Sequence, residues 1–168
     1  MPRFAVLIPL IFLAVPGVSH AAGEGDFLKG LQGAYSGQGT VRLRTNSSTI
    51  KVNCTFNATS SATTLSLNGR CRGLVLVSRS VGADLKVSGT RYSGTYTGAR
   101  SGPAALSGTR RGNALRLAIR WAKPLNGDRD ATLLVNRVGQ RGLTLTITDR
   151  DPASGKTVVT SNIALQRK

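Results

Sequence analysis

Residues 50–72 read "IKVNCTFNATSSATTLSLNGRCR". Ile50, Val52, Cys54 and Phe56 alternate with Lys51, Asn53, Thr55 and Asn57. After a polar break, Leu65, Leu67, Gly69 and Cys71 fall on one parity again. Period two over such lengths is the pattern of strands with one face buried and one wet. Folding the two runs into a hairpin sets Cys54 opposite Cys71, Phe56 opposite Gly69 and Ala58 opposite Leu67. Both cysteines then lie on the apolar parity. Alternation and cysteine pairing agree on one register, and a slip of one residue would break both.

The same pattern runs outward in both directions. Leu115, Leu117, Ile119 and Trp121 alternate with Arg116, Ala118 and Arg120, and Leu143, Leu145 and Ile147 with three threonines. Turn signals recur about every ten residues: "TNSS", "NATSSA", "SVGAD", "TGARSGP", "RRGN", "LNGDRD", "VGQRG" and "DPASG". The expected strands are 34–43, 49–57, 64–77, 82–90, 91–98, 104–110, 114–122, 131–138, 142–149 and 157–166. The fold class is all-β: a single antiparallel up-and-down barrel of 8–10 strands, of the calycin or lipocalin type, over residues 33–168. "VSGTR", "YSGTY" and "LSGTR" share Ser-Gly-Thr, and "YSGQG" is a cousin. Glycine inside a strand marks a sharp bend or a close backbone approach, which a small barrel needs in order to close.

The first 22 residues read as a cleaved secretory signal peptide. Arg3 precedes the apolar run "FAVLIPLIFLAVPGV", and "SHAA" supplies small residues for cleavage after Ala21 or Ala22. Residues 23–32 form an N-terminal segment. Within it "EGDFLKGLQG" makes one short turn of helix, with Asp26 as N-cap and Phe27 and Leu31 facing inward. Removing 22 residues from the 168 leaves 146, enough for one domain with a sizeable core. In an exported chain the pair Cys54 and Cys71 reads as a disulfide, contributing on the order of 3 kcal/mol through loop closure. The expected location is periplasmic or secreted. No later stretch is apolar enough to cross a membrane as a helix.

The composition narrows the chemistry. His20 is the sole histidine and lies in the signal peptide. Histidine-dependent triads and histidine metal sites are therefore excluded from the mature chain. Asp128 with Asp130, and Asp149 with Asp151, could hold calcium weakly or do acid–base work, but each pair sits beside turn residues and arginines and reads as turn formation. No catalytic residue, cofactor or metal is expected, and the chain reads as a non-enzymatic protein.

Charge is the strongest functional signal. Twenty-three Lys and Arg stand against seven Asp and Glu. Such an excess favours polyanions and a steep salt dependence. The aromatics Tyr35, Phe56, Tyr92, Tyr96 and Trp121 follow the apolar parity, so they form core and give nucleic acid no stacking platform. Export also takes the chain away from intracellular nucleic acid, which is not expected as a partner. The expected partner is an anionic envelope component: lipopolysaccharide, phospholipid or acidic glycan, with peripheral membrane contact. Arg116 and Arg120 belong on the wet face of their strand, with Arg110 and Arg111 at its turn. Arg42 and Arg44 share such a face on the first strand; Arg70, Arg72 and Arg79 are further candidates. The alternative is a scattered, solvated surface with no shared patch.

Three resemblances add to this reading. "GAYSGQGTV", Cys54, "NGRC", "YSGTY", "LSG" and "SNIALQRK" resemble a group of small, exported, uncharacterised proteins of alphaproteobacteria, which implies an exported β-domain. "VSGTRYSGTYTG" followed by "LRLAIRWAK" is similar to the middle hairpins of avidin-like barrels. With one Trp the chain has no counterpart of that family's biotin wall, and no biotin residue carries over. In scale and single disulfide the chain is also similar to periplasmic inhibitors of secreted metalloproteases or lysozymes. A basic lysozyme would repel it; inhibition of another hydrolase would use "GEGDFLKG" as a plug. The remaining alternative is a small apolar ligand held inside the barrel among Tyr92, Tyr96, Leu117, Ile119 and Trp121.

Overall fold

The computed structural model describes residues 20–73 and 77–168. The apolar run assigned to the signal peptide lies outside the described residues. Helix α1 (His20–Leu31) is followed by ten strands: β1 (Gly33–Val41), β2 (Ile50–Ser60), β3 (Thr64–Gly73), β4 (Val77–Ser88), β5 (Arg91–Thr97), β6 (Ala104–Arg111), β7 (Ala114–Leu125), β8 (Asp128–Val138), β9 (Gly142–Arg150) and β10 (Thr157–Arg167). Every strand pairs antiparallel with its chain neighbours, and β1 pairs with β10 to close the barrel. Closure removes the free edges at which an open sheet would recruit another chain.

The hairpin register deduced from the cysteines is the observed one: Cys54 opposes Cys71, Phe56 opposes Gly69 and Ala58 opposes Leu67. The disulfide is formed and buried. Its loop spans 17 residues of sequence separation, so replacing both cysteines by alanine is expected to lower unfolding free energy by about 3 kcal/mol, read by urea denaturation.

Inward positions of all ten strands merge into one apolar core. Outward positions carry mostly Thr, Ser, Asn, Gln, Lys and Arg, the reverse of a membrane-spanning barrel, whose apolar band faces outward. Several strand glycines allow the tight curvature. A Cβ on Gly37, Gly39, Gly94 or Gly108 would come closer than 3.0 Å to backbone of the neighbouring strand.

Two expectations need correction. "SVGAD" is not a turn: Ser80 to Asp84 pair with Arg70 to Ser66 inside the β3–β4 ladder. Val81, Ala83, Leu85 and Val87 supply the alternating inward face there. Those pairings outweigh the turn-like Gly and Asp, so β4 starts at Val77. The N-terminal helix is longer than one turn, and Asp26 is an exposed residue within it, not its cap. Phe27, Leu28 and Leu31 are buried, the spacing of one helix face.

Helix α1 covers one end of the barrel. Its last carbonyls, which lack partners within the helix, are met from the barrel. The Tyr35 hydroxyl donates to Leu31 O at 2.9 Å, and Arg167 Nη2 donates to Gly30 O. At the opposite end the β1–β2 connection folds across towards distant loops. Thr45 N donates to Asn126 Oδ1 at 3.3 Å, and Thr45 Oγ1 to Asp151 Oδ2 at 2.8 Å. Hydrogen bonds from Ser154 and from Thr45 hold the Asp151 carboxyl below its ordinary range.

Candidate anion-binding surface

Alternation on β7 sends Leu115, Leu117, Ile119 and Trp121 inward and leaves Arg116 and Arg120 exposed on the outer wall. Arg120 Nη1 meets both oxygens of Asp130 at 2.7 Å. Both side chains are more than half exposed, so water screens this pair and it adds little stability. Arg116 makes no side-chain hydrogen bond or ion pair among the described residues. Its cross-strand partner Thr109 is flanked on the other side by Arg91. Arg111 is exposed two residues further along β6. Arg91, Arg111 and Arg116 therefore form a triangle of cations on one wall, none with an ion pair among the described residues. Arg91 escaped the sequence reading, although its parity, opposite to that of the buried Tyr92, marks it as outward.

Three predicted arginines stand elsewhere. Arg110 shares the inward parity of Leu106 and Gly108, and its Nε donates to Glu24 Oε2 at 2.9 Å. The Tyr92 hydroxyl donates to the same oxygen. Arg110 also lies 5.0 Å from the centroid of the Phe27 ring. Burial, with the Glu24 hydrogen bond and charge, pushes the Tyr92 phenol far up, and Glu24 raises the Arg110 guanidinium. Arg110 thus fastens α1 to the barrel. Arg42 and Arg44 are not on a strand face, because β1 stops at Val41. They lie in the β1–β2 connection, where Ser47 N donates to Arg44 O at 3.1 Å.

The outer wall has a groove of about 570 Å³ across β1, β2 and β3. Arg70 opposes Thr55, which opposes Ser36; Arg72 opposes Asn53, which opposes Gln38. All six line the groove. Neither arginine has a side-chain hydrogen bond or ion pair among the described residues. Arg79, by contrast, lies on the inward parity and donates to Gly98 O at 3.2 Å. A second groove, of about 520 Å³ beside β3, β4 and β5, contains Asp84 next to Lys86 and suits an anion less.

The residues named for an interior ligand occupy the core. Tyr92, Leu117, Ile119 and Trp121 are buried, and half-buried Tyr96 stands edge-on to Trp121 with ring centroids 5.8 Å apart. Burial pushes the Tyr96 phenol up to about 12. The Trp121 Nε1 has no hydrogen-bond partner among the described residues. The segment read as an inhibitor plug is α1 itself, with Phe27 and Leu28 inside its own barrel.

The carboxylates are spoken for locally. Asp128 Oδ1 accepts from Asp130 N at 2.8 Å, and Asp151 Oδ1 from Ser154 N at 2.8 Å. Asp149 is not a turn residue but a buried member of β9, accepting from the Thr160 hydroxyl. Among the described residues no group of three or more His, Cys, Asp or Glu is placed to hold a metal ion. No described helix is long and apolar enough to cross a membrane. No protein-family model matches the chain, and no curated protein matches it in sequence.

Proposed function

We propose that this protein is an exported, non-enzymatic binding protein of a bacterial envelope that contacts anionic material through arginines on the outer wall of its barrel. The observation that supports this reading is the set of outward arginines without a counter-ion. Arg70, Arg72, Arg91, Arg111 and Arg116 are exposed and make no ion pair among the described residues. A cation used to hold the fold is engaged by a carboxylate or a carbonyl, as Arg110 is by Glu24 and Arg167 by Gly30 O; cations left in solvent on a rigid sheet are available to a partner. The disulfide agrees with an oxidising compartment, periplasmic or extracellular.

Co-sedimentation of the purified protein with outer-membrane vesicles tests this reading. Binding is expected at 20 mM salt and is expected to vanish at 1 M, where the screening length falls to about 3 Å. Failure to bind at 20 mM salt would make the arginines a solvated surface. Binding that persists at 1 M would point to the apolar interior or to a protein partner.

A further inference from the structure

We infer that the groove across β1, β2 and β3 is a binding site for an acidic saccharide chain. This rests on the polyanion reading above and adds a location and a ligand class.

Register makes the groove a grid. One row runs Arg70, Thr55, Ser36; the next runs Arg72, Asn53, Gln38. The two arginines are two residues apart on one strand face, about 7 Å between Cα atoms. That spacing serves anionic groups on neighbouring units of a chain. Along both rows no further charge follows: they continue onto β10 with Gln166 and Ala164. Amide and hydroxyl groups both donate and accept hydrogen bonds, as the hydroxyls of a sugar do. A simple polyanion accepts from their N–H and O–H groups only, whereas a sugar hydroxyl also donates to their oxygens. The described aromatics of the strands point into the barrel, so no aromatic ring here stacks with a base.

The disulfide deepens the case. Cys54 lies between Asn53 and Thr55, and Cys71 between Arg70 and Arg72. Their bond ties together the two strands that carry four of the six side chains. The grid is therefore held at fixed spacing before any ligand arrives, which reduces the ordering cost of binding.

The test is calorimetric titration of the full protein at low salt with two probes of matched charge, oligogalacturonate and poly-L-glutamate. Oligogalacturonate is expected to bind about tenfold more tightly. Asn53→Ala with Gln38→Ala should abolish that preference, weakening oligogalacturonate about tenfold and poly-L-glutamate by less than about threefold. Arg70→Gln with Arg72→Gln should weaken oligogalacturonate about tenfold or more, and Arg91→Gln with Arg116→Gln less than about threefold. All six positions are solvent-facing, and unchanged melting temperatures would confirm that the variants fold. Equal affinity for the two probes would overturn the saccharide site, as would an Arg91/Arg116 loss as large as the Arg70/Arg72 loss; in both cases the polyanion reading survives. Failure of both probes to bind at low salt would overturn the polyanion reading itself. Repeating the titration with lipopolysaccharide micelles separates a membrane-borne saccharide from a soluble one. Micelle binding lost in the Arg70/Arg72 variant indicates a membrane-borne saccharide, and binding confined to free oligogalacturonate indicates a soluble one.

Discussion

Arg110→Ala is expected to lower unfolding free energy by about 2–4 kcal/mol at neutral pH, somewhat below the range for removing one partner of a fully buried ion pair, because the Arg110 side chain is 25% exposed. The Glu24 side chain is 7% exposed, and the guanidinium is one of the groups that balance its charge there. The same substitution removes the cation from the face of Phe27 and a 2.9 Å hydrogen bond to Gly112 O. These losses fall where α1 meets the barrel, so the helix should loosen before the sheet. Urea denaturation followed by tryptophan fluorescence reads the total, because Trp121 sits in the core. Hydrogen exchange of residues 24–31 reads the local opening. Adding Glu24→Gln to the variant removes the buried charge while keeping a hydrogen-bonding side chain. It should recover part of the loss. If Arg110→Ala costs under about 1 kcal/mol, the helix is held without it, by Phe27, Leu28 and Leu31 and by the hydrogen bonds from Tyr35, Tyr92 and Arg167.

The fate of Arg110 shows where sequence reading stops. Its neighbours "RRGN" carry a turn signal, and two arginines before a glycine read as solvent-facing. Strand parity places Arg110 inside with Leu106 and Gly108, but a charged inward residue is credible only with a partner. That partner is Glu24, 86 residues away, and no local pattern joins them. The barrel itself was legible because alternation is a local signal repeated ten times, and because two cysteines fixed one register. "SVGAD" misled for the complementary reason: local turn chemistry was overridden by a ladder to β3. The β1–β2–β3 groove lay between these cases. Arg70 and Arg72 could be named as outward from parity, whereas their rows with Ser36 and Gln38 required the β1–β2 pairing. Their freedom from counter-ions required knowing where all seven acidic residues of the chain lie.

The Ser-Gly-Thr repeat yields the second large effect, because one motif uses glycine for two purposes. Gly89 sits in a turn at φ 59° with open space around it. Gly89→Ala therefore meets only the left-handed backbone preference, about 1 kcal/mol. Gly94 and Gly108 lie inside β5 and β6, opposite Leu106 and Leu117. A Cβ on Gly94 would overlap the carbonyl of Asp84, and one on Gly108 the carbonyl of Arg116. The obstacle is backbone in a paired strand, which cannot swing away as a long side chain can. Relief means separating β5 from β4, or β6 from β7, and giving up ladder hydrogen bonds. Each of Gly94→Ala and Gly108→Ala is expected to cost about 3–4 kcal/mol, at the upper end of overpacking effects. Because closure depends on both ladders, opening one exposes strand edges that pair with other chains. These two variants should therefore aggregate on heating, whereas Gly89→Ala should unfold as a monomer. Thermal denaturation with light scattering separates the three. If all three alanine variants lose the same small amount, the strand glycines are not what curves the barrel, and the bend must come from the bulge between Val159 and Ser161 and the irregular β7–β8 ladder beyond Arg120.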